Sequence, residues 1–298
     1  MQYHTLGNSD LKVSEISLGC MSLKTADAFQ QIIPSALDQG INFFDTADLY
    51  DQGQNEVLLG KALGAHRKEV LIATKVGNEL NSDGTSWNWN PSKAYILKAI
   101  EASLKRLGTD YLDLYQLHGG TIEDPIDETI EAFEILKQQG KIRAYGISSI
   151  RPNVIRTYVK KSNIASNMMQ YSLLDRRPEE TALDLLHQNN ISVITRGTVA
   201  KGLLAGKPAV DYLGHSAATV KAASDTIHSL AAQHQHTAAQ IGGRYVLQHP
   251  AVASAVMGFR TVEQLKDGIG TNDFGPLSAA DYQILQNSVE AKVYEKHR

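Results

Sequence analysis

The chain of 298 residues carries 29 basic and 32 acidic side chains, a formal charge of −3, interspersed so that neither a basic stripe for nucleic acid nor a polybasic membrane patch stands out. With 42% hydrophobic residues and no run approaching the roughly eighteen apolar residues of a membrane span, it reads as a soluble catalyst able to bury a sizeable core. Met1-Gln2-Tyr3-His4 lacks a signal-peptide pattern, and the single cysteine, Cys20, excludes an intrachain disulfide and a cysteine-held zinc, so the expectation is a cytoplasmic protein with a small-molecule partner, no nucleic acid and no membrane.

The first predicted element is a hairpin over Gln2–Val13, with Gly7-Asn8-Ser9-Asp10 at its centre. After it the hydrophobic period switches repeatedly between strand-like and helix-like. Strands are predicted at Ile16–Leu18, Asn42–Asp45, Val70–Thr74, Leu112–Leu117, Ile142–Ile147, Met168–Tyr171, Ser192–Thr195 and Ala253–Met257. Between them lie amphipathic stretches such as Ser92–Leu107, which opens after Asn90-Pro91, and Asp127–Gln139, which closes at Gly140. Eight such strands alternating with helices predict an α/β fold, a (β/α)8 TIM barrel with the N-terminal β-hairpin as its cap. No composition shift marks a second domain, so residues 1–298 read as a single barrel domain. Without a heptad pattern or a swapped arm, a monomer is the default.

In a barrel the C-terminal ends of successive strands emerge on one face. Phe43-Phe44-Asp45 ends there in a carboxylate, Tyr50 follows on the next loop, Ile72-Ala73-Thr74-Lys75 ends in an ammonium, and Tyr115-Gln116-Leu117-His118 ends in an imidazole. Singly, each has an ordinary structural explanation: Asp45 as a helix cap, Tyr50 as an amphipathic loop residue, Lys75 as a solvated strand end, His118 as a core imidazole. Converging in this order, they form a proton-transfer site.

Two longer loops flank it. Val76–Asn90 carries Trp87 and Trp89 in a polar Asn/Ser/Asp/Gly setting, which suits either an aromatic wall over a substrate or rings packed on the loop itself. Gly197–Ser216 holds Gly197, Lys201, Gly202, Gly206 and Lys207, which offer amides and charge to a phosphate-bearing ligand. Gly202-Leu203-Leu204-Ala205-Gly206-Lys207 is no nucleotide-triphosphate loop, because its glycines are four apart and Pro208 follows Lys207. Glu123, Asp124, Asp127, Glu128 and Glu131 suit a helix start through its dipole. His228, His234 and His236 lack neighbouring carboxylates or cysteines, so they read as a solvated helix junction and no metal is expected.

The ordered motifs Leu18-Gly19-Cys20-Met21, Asp45-Thr46-Ala47-Asp48 with Tyr50, Gly60-Lys61-Ala62-Leu63, Lys75, His118, Arg143-Ala144-Tyr145-Gly146-Ile147-Ser148, Gly202-Leu203-Leu204 and Gly258-Phe259-Arg260 with Gln264 resemble the aldo-keto reductase family, in its bacterial branch similar to potassium-channel β-subunit-like reductases. The match runs from the hairpin to about Asn272. The resemblance implies NAD(P)H-dependent reduction of a small aldehyde or ketone to an alcohol, with hydride from a nicotinamide extended across the barrel mouth, and the reverse oxidation. Carbonyl reduction needs such a carrier and a proton donor. Tyr50 is the expected general acid, and Lys75 the cation within roughly 4–6 Å that stabilises its phenolate. Asp45 keeps Lys75 protonated and aimed, and His118 donates a hydrogen bond to the carbonyl oxygen. Tyr50 and His118, with Trp87 and Trp89, are the expected substrate contacts.

No G-x-G-x-x-G joins an early strand to a helix, so a Rossmann turn is excluded as the dinucleotide device. The resemblance puts the cofactor contacts at Gly19, Cys20, Met21 and Asp45, at Ser148, Ser149 and Gln170, along Arg196, Gly197, Thr198, Lys201, Gly202, Leu203 and Lys207, and at Gly258, Arg260 and Gln264. Some positions depart from the family pattern. Ser149 shortens an asparagine, and Met168 replaces a glutamine, leaving Gln170 on the same strand face as a substitute. Arg196 replaces a stacking aromatic; its guanidinium plane also stacks, and its charge favours the reduced ring over the cationic oxidised one. Gly268 replaces an asparagine that contacts adenine. Arg260 and Gln264 match 2′-phosphate positions, which favours NADP(H) over NAD(H). Two other classes stay open: a nicotinamide-binding accessory or sensor subunit with little turnover, and a Schiff-base lyase with Lys75 as nucleophile.

Overall fold

The computed structural model describes residues 1–81 and 84–298. An antiparallel hairpin of β1 (Tyr3–Thr5) and β2 (Lys12–Ser14) opens the chain. The strands that follow are β3 (Ile16–Gly19), β4 (Phe43–Asp45), β5 (Leu71–Val76), the short pair β6 (Asn78–Leu80) and β7 (Trp87–Trp89), then β8 (Leu112–Leu117), β9 (Ile142–Ser148), β10 (Ser166–Gln170), β11 (Ser192–Arg196) and β12 (Val252–Met257). Eight of them close into a parallel barrel in the order β3-β4-β5-β8-β9-β10-β11-β12, with β12 returning to β3. The helices are α1 (Ala26–Asp38), α2 (Gln54–Leu63), α3 (Lys93–Leu107), α4 (Ile126–Gln138), α5 (Pro152–Lys161), α6 (Ala182–Gln188), α7 (Ala217–His234), α8 (Ala238–Leu247), α9 (Val262–Ile269) and α10 (Ala279–Asn287). Among the described residues, no helix is long and apolar enough to cross a membrane.

Alternation along the strands divides the apolar residues between two cores. Phe43, Leu71, Ala73, Leu114, Ala144, Met168, Ile194 and Val256 fill the barrel interior, and Leu6, Leu11 and Val13 of the first hairpin join them, so the hairpin caps the barrel as expected. A larger cluster, including Ile72, Tyr115 and Ile147 with Ile96, Ile100, Phe133 and Leu136, packs helices against the outside. The helix opens after Asn90-Pro91 as the sequence predicts: the Ser92 hydroxyl accepts from Tyr95 N at 3.3 Å to cap α3, and Gly108 ends that helix in the left-handed region. A buried fork closes the circle: both Arg244 Nη atoms of α8 hold the Glu15 carboxylate ahead of β3, at 2.8 and 2.9 Å.

Two expectations are corrected. Val76–Asn90 is not irregular, because β6 and β7 pair within it; segments of three residues are too short to show a strand period. Ser82 and Asp83, part of the polar setting read there, lie outside the described residues. Lys75 sits within β5 rather than beyond the end of its strand.

Candidate active site

Register brings the strand ends together. Asp45 pairs with Ala73, so Lys75, two residues on and on the same face, stands one layer above the carboxylate. Lys75 Nζ donates to Asp45 Oδ2 at 2.9 Å and to the Thr46 carbonyl at 2.6 Å; Asp45 Oδ1 lies 2.7 Å away, off the hydrogen-bonding direction. The third hydrogen bond of the ammonium goes to Tyr50 Oη at 3.3 Å. Lys75 and Asp45 are buried, at 1% and 4% exposure, so this charge pair is largely hidden from water.

Burial pushes the Asp45 carboxyl up against the pull of Lys75, whereas Asp45 and Tyr50 outweigh burial and raise the Lys75 ammonium. These directions conflict over which partner is charged, and the geometry decides for the ion pair: an ammonium with two carboxylate oxygens and a carbonyl within 2.9 Å. Burial also raises the Tyr50 phenol, Lys75 opposing it, so the phenol is firmly protonated in the resting site.

The backbone after Tyr50 turns sharply. Asp51, Gln52 and Gly53 adopt φ of 49°, 56° and 84°, the first two in a region side chains rarely take. Lys24 holds Asp51 at 3.0 Å and Gln52 donates to the Gly84 carbonyl at 2.9 Å, so contacts from outside the loop hold the turn that presents Tyr50. Underneath, Asn55 is a buried staple, accepting from Thr46 Oγ1 at 2.8 Å and donating to the Cys20 carbonyl at 3.0 Å. Glu56 accepts from Thr74 at 2.5 Å and from Arg106 at 2.6 Å, which fixes the outer side of β5. Asp48 beside them is pushed up to about 7, by burial first and by Glu56 second.

His118 meets Tyr50 edge to face, ring centroids 6.1 Å apart. Burial, then Lys75 and Arg196, hold its imidazole down at about 3, so it is neutral near pH 7. Its Nδ1 is enclosed without a protein partner among the described residues, which leaves Nε2 to meet a ligand.

These groups line a cleft of about 590 Å³ whose walls also include Gly19, Met21, Ser148, Ser149, Arg196, Gly197 and Gly258. Met21 and Ser22 continue into a second hollow of about 580 Å³ bordered by Arg260, so cleft and hollow share two residues along one groove. The groove carries hydroxyls at one end and a guanidinium at the other. Gln264 Oε1 accepts from Arg260 N at 2.9 Å, and no ion pair occupies the Arg260 guanidinium among the described residues.

Other sequence expectations land elsewhere. Gln170 is not among the residues that line the cleft; it accepts from Arg196 at 3.0 Å and donates to Asp175 at 2.9 Å and Tyr212 at 3.1 Å, while Met168, on the same strand face, lines it. Trp89 donates to Asp124 at 3.0 Å and its ring covers Gly77 and Gly119, and Trp87 is exposed; neither lines the cleft. A Cβ at Gly77 would come within 2.6 Å of that ring, and its φ of 122° also requires glycine. Cys20 offers only backbone, since its thiol is buried and pushed up by burial and then by Asp45. Thr198 is buried and Lys201, Gly202, Leu203 and Lys207 lie on or beside the turn Ala200–Ala205, past β11 and outside the cleft walls. Gly268 has a packing cause: a Cβ there would stand 2.4 Å from the Phe259 ring.

Sequence reasoning missed Asn55, and also Asn167, which props the Ser148-Ser149 turn by accepting from Ser149 N at 3.2 Å and donating to its carbonyl at 3.1 Å. Their partners come from other elements, so no local pattern announces them. No group of three or more metal-ligating side chains occurs among the described residues. His234 faces Asp281 at 3.2 Å and His236 stacks on Phe274 at 3.9 Å, which accounts for two of the three histidines.

Comparison with known proteins gives a family match and two kinds of relative. The model described as Aldo/keto reductase family matches residues 15–290. The chain is 49% identical over 308 residues to the oxidoreductase YqkF of Bacillus subtilis (strain 168), covering 100% of both. It is 30% identical over 319 residues to the NADH-specific methylglyoxal reductase of Escherichia coli (strain K12), covering 96% of this chain and 98% of that one. The holo form of aldo-keto reductase AKR11C1 from Bacillus halodurans superposes with a TM-score of 0.95 at 48% identity, covering 100% of this chain and 99% of that one.

Proposed function

Because the chain belongs to the aldo/keto reductase family, we propose that it reduces the carbonyl group of a small aldehyde or ketone to an alcohol, using NADPH, with Tyr50 as the general acid. The observation that carries this reading is the ammonium of Lys75 at 3.3 Å from Tyr50 Oη, itself held by Asp45. A reduced nicotinamide bound in the cleft supplies the hydride. His118 Nε2 donates to the carbonyl oxygen and polarises it; the imidazole is neutral, so it orients the oxygen without competing as the acid. As negative charge builds on that oxygen, Tyr50 gives up its proton, and Lys75 stabilises the phenolate left behind. Asp45 and the Thr46 carbonyl keep Lys75 charged and aimed throughout.

The cofactor would lie along the shared groove, with Ser148, Ser149, Arg196 and Gly197 at its nicotinamide end and Met21, Ser22 and Gly258 along its length. Arg260 supports NADPH over NADH, since a guanidinium with no carboxylate partner among the described residues suits a 2′-phosphate. The Escherichia coli relative is named for NADH, so the preference needs direct comparison. The test is loss of reduced-nicotinamide absorbance with NADPH and with NADH over a panel of small aldehydes and ketones. Turnover that prefers NADPH supports the whole reading; turnover with NADH alone removes the Arg260 argument, and binding of either without turnover replaces the reductase by an accessory subunit.

A further inference from the structure

The cleft holds one cation with no role so far. Of the charged side chains that line it, Lys75 and Asp45 pair with each other and Arg196 is tied to Gln170, which leaves Arg151. Arg151 stands at the N-cap of α5, directly before Pro152, and its backbone N–H donates to Ser149 Oγ at 3.2 Å. Its guanidinium is anchored at one point, where Nη1 donates to the carbonyl of Gly120. Gly119 and Gly120 follow His118 directly and line the same cleft. The carboxylate of that loop, Asp124, accepts instead from Thr121 and Trp89. Among the described residues Arg151 has no ion-pair partner.

A guanidinium has five N–H donors in a fixed fork that matches a carboxylate. Here most of that fork is left over, in a cleft where, among the described residues, the one lining carboxylate is already neutralised, beside the amino-terminal end of a helix that adds partial positive charge. Its anchor ties it to the loop that carries His118. One residue of chain, Gly119, separates His118 from Gly120, so their Cα atoms lie at most about 7 Å apart, and a carbonyl on His118 and an anion on Arg151 share one cleft of about 590 Å³.

Building on the carbonyl-reductase reading, we propose that Arg151 binds a carboxylate of the substrate, so that the preferred substrates are short oxo acids. The chemistry at the carbonyl is unchanged; Arg151 sets which carbonyl compound is held.

The test compares succinic semialdehyde with its uncharged methyl ester, using whichever nicotinamide supports turnover, in the wild-type protein, Arg151→Met and Arg151→Lys. The wild type should prefer the acid by roughly ten- to a hundredfold in kcat/KM, mostly through KM, the scale of a charge-assisted hydrogen bond. The preference should collapse in Arg151→Met, persist in part in Arg151→Lys, and weaken with added salt. Equal use of acid and ester by the wild type overturns the inference without touching the reductase reading, and does so whether or not the variants fold. A preference that survives in Arg151→Met overturns it as well. If neither compound nor any aldehyde of the panel is reduced, the reductase reading fails and takes the inference with it.

Discussion

Replacing Lys75 by Met tests the electrostatic core of the site. The ammonium stands 3.3 Å from Tyr50 Oη, and at an effective dielectric near 20 a full charge there stabilises a phenolate by about 5 kcal/mol. Asp45 opposes it. Taken end to end along the two contacts, at about 6 Å from the phenolic oxygen, the carboxylate returns about 3 kcal/mol at the same dielectric. In the variant, burial without a partner drives Asp45 to its neutral form, so both charges vanish together. With both charges gone, the expected loss in kcat/KM is the net of the pair, about 2 kcal/mol or thirtyfold. It should fall on kcat, since Lys75 touches the proton donor. The assay is steady-state reduction of a neutral aldehyde beside cofactor titration by fluorescence. A loss below about tenfold with cofactor binding intact would refute the reasoning, because the phenolate would then need no cation.

Other consequences are as specific. Because His118 is held at about 3, kcat should show no step near 6.5 between about pH 5 and 8; an inflection there that disappears in His118→Gln would mean that the imidazole titrates in the cycle. Glu15 is depressed although burial alone would raise it, because its bonds to His4 and Arg244 outweigh desolvation. A depressed carboxyl contributes stability above its unfolded value, 4.5, and loses it as pH falls through the folded value, so Arg244→Met should flatten the acid limb of unfolding free energy against pH. Near neutrality the same variant, leaving a buried charge short of its partner, should cost about 3–5 kcal/mol by urea titration, and an unchanged midpoint would remove the fork from the account.

What the residues alone reveal follows from how local each signal is. The tetrad is legible because each member breaks an apolar run at a strand end or on the loop after it, and the barrel then brings those ends to one rim. The same logic fails for Gln170. Its place on the strand face reads correctly, but Asp175 and Tyr212 claim its amide from segments whose positions only the fold determines. Trp89 fails similarly, since the glycines at 77 and 119 that admit its ring lie on two different strand ends. Gly268 is visible as a departure, yet its cause, the Phe259 ring nine residues earlier, is a matter of packing. Asn55, Asn167 and the Glu15–Arg244 fork escape altogether, because a polar residue in an amphipathic pattern does not announce a buried partner.

The most direct test of the central claim is a comparison of wild-type protein and Tyr50→Phe in two measurements on the same samples, NADPH binding and NADPH oxidation in the presence of a short aldehyde. Retained binding with turnover lower by about a hundred- to ten-thousandfold is the predicted result, the scale of a lost general acid. Aldehyde reduction by Tyr50→Phe at the wild-type rate would contradict the account, because the proton would then come from a group other than the one Lys75 holds.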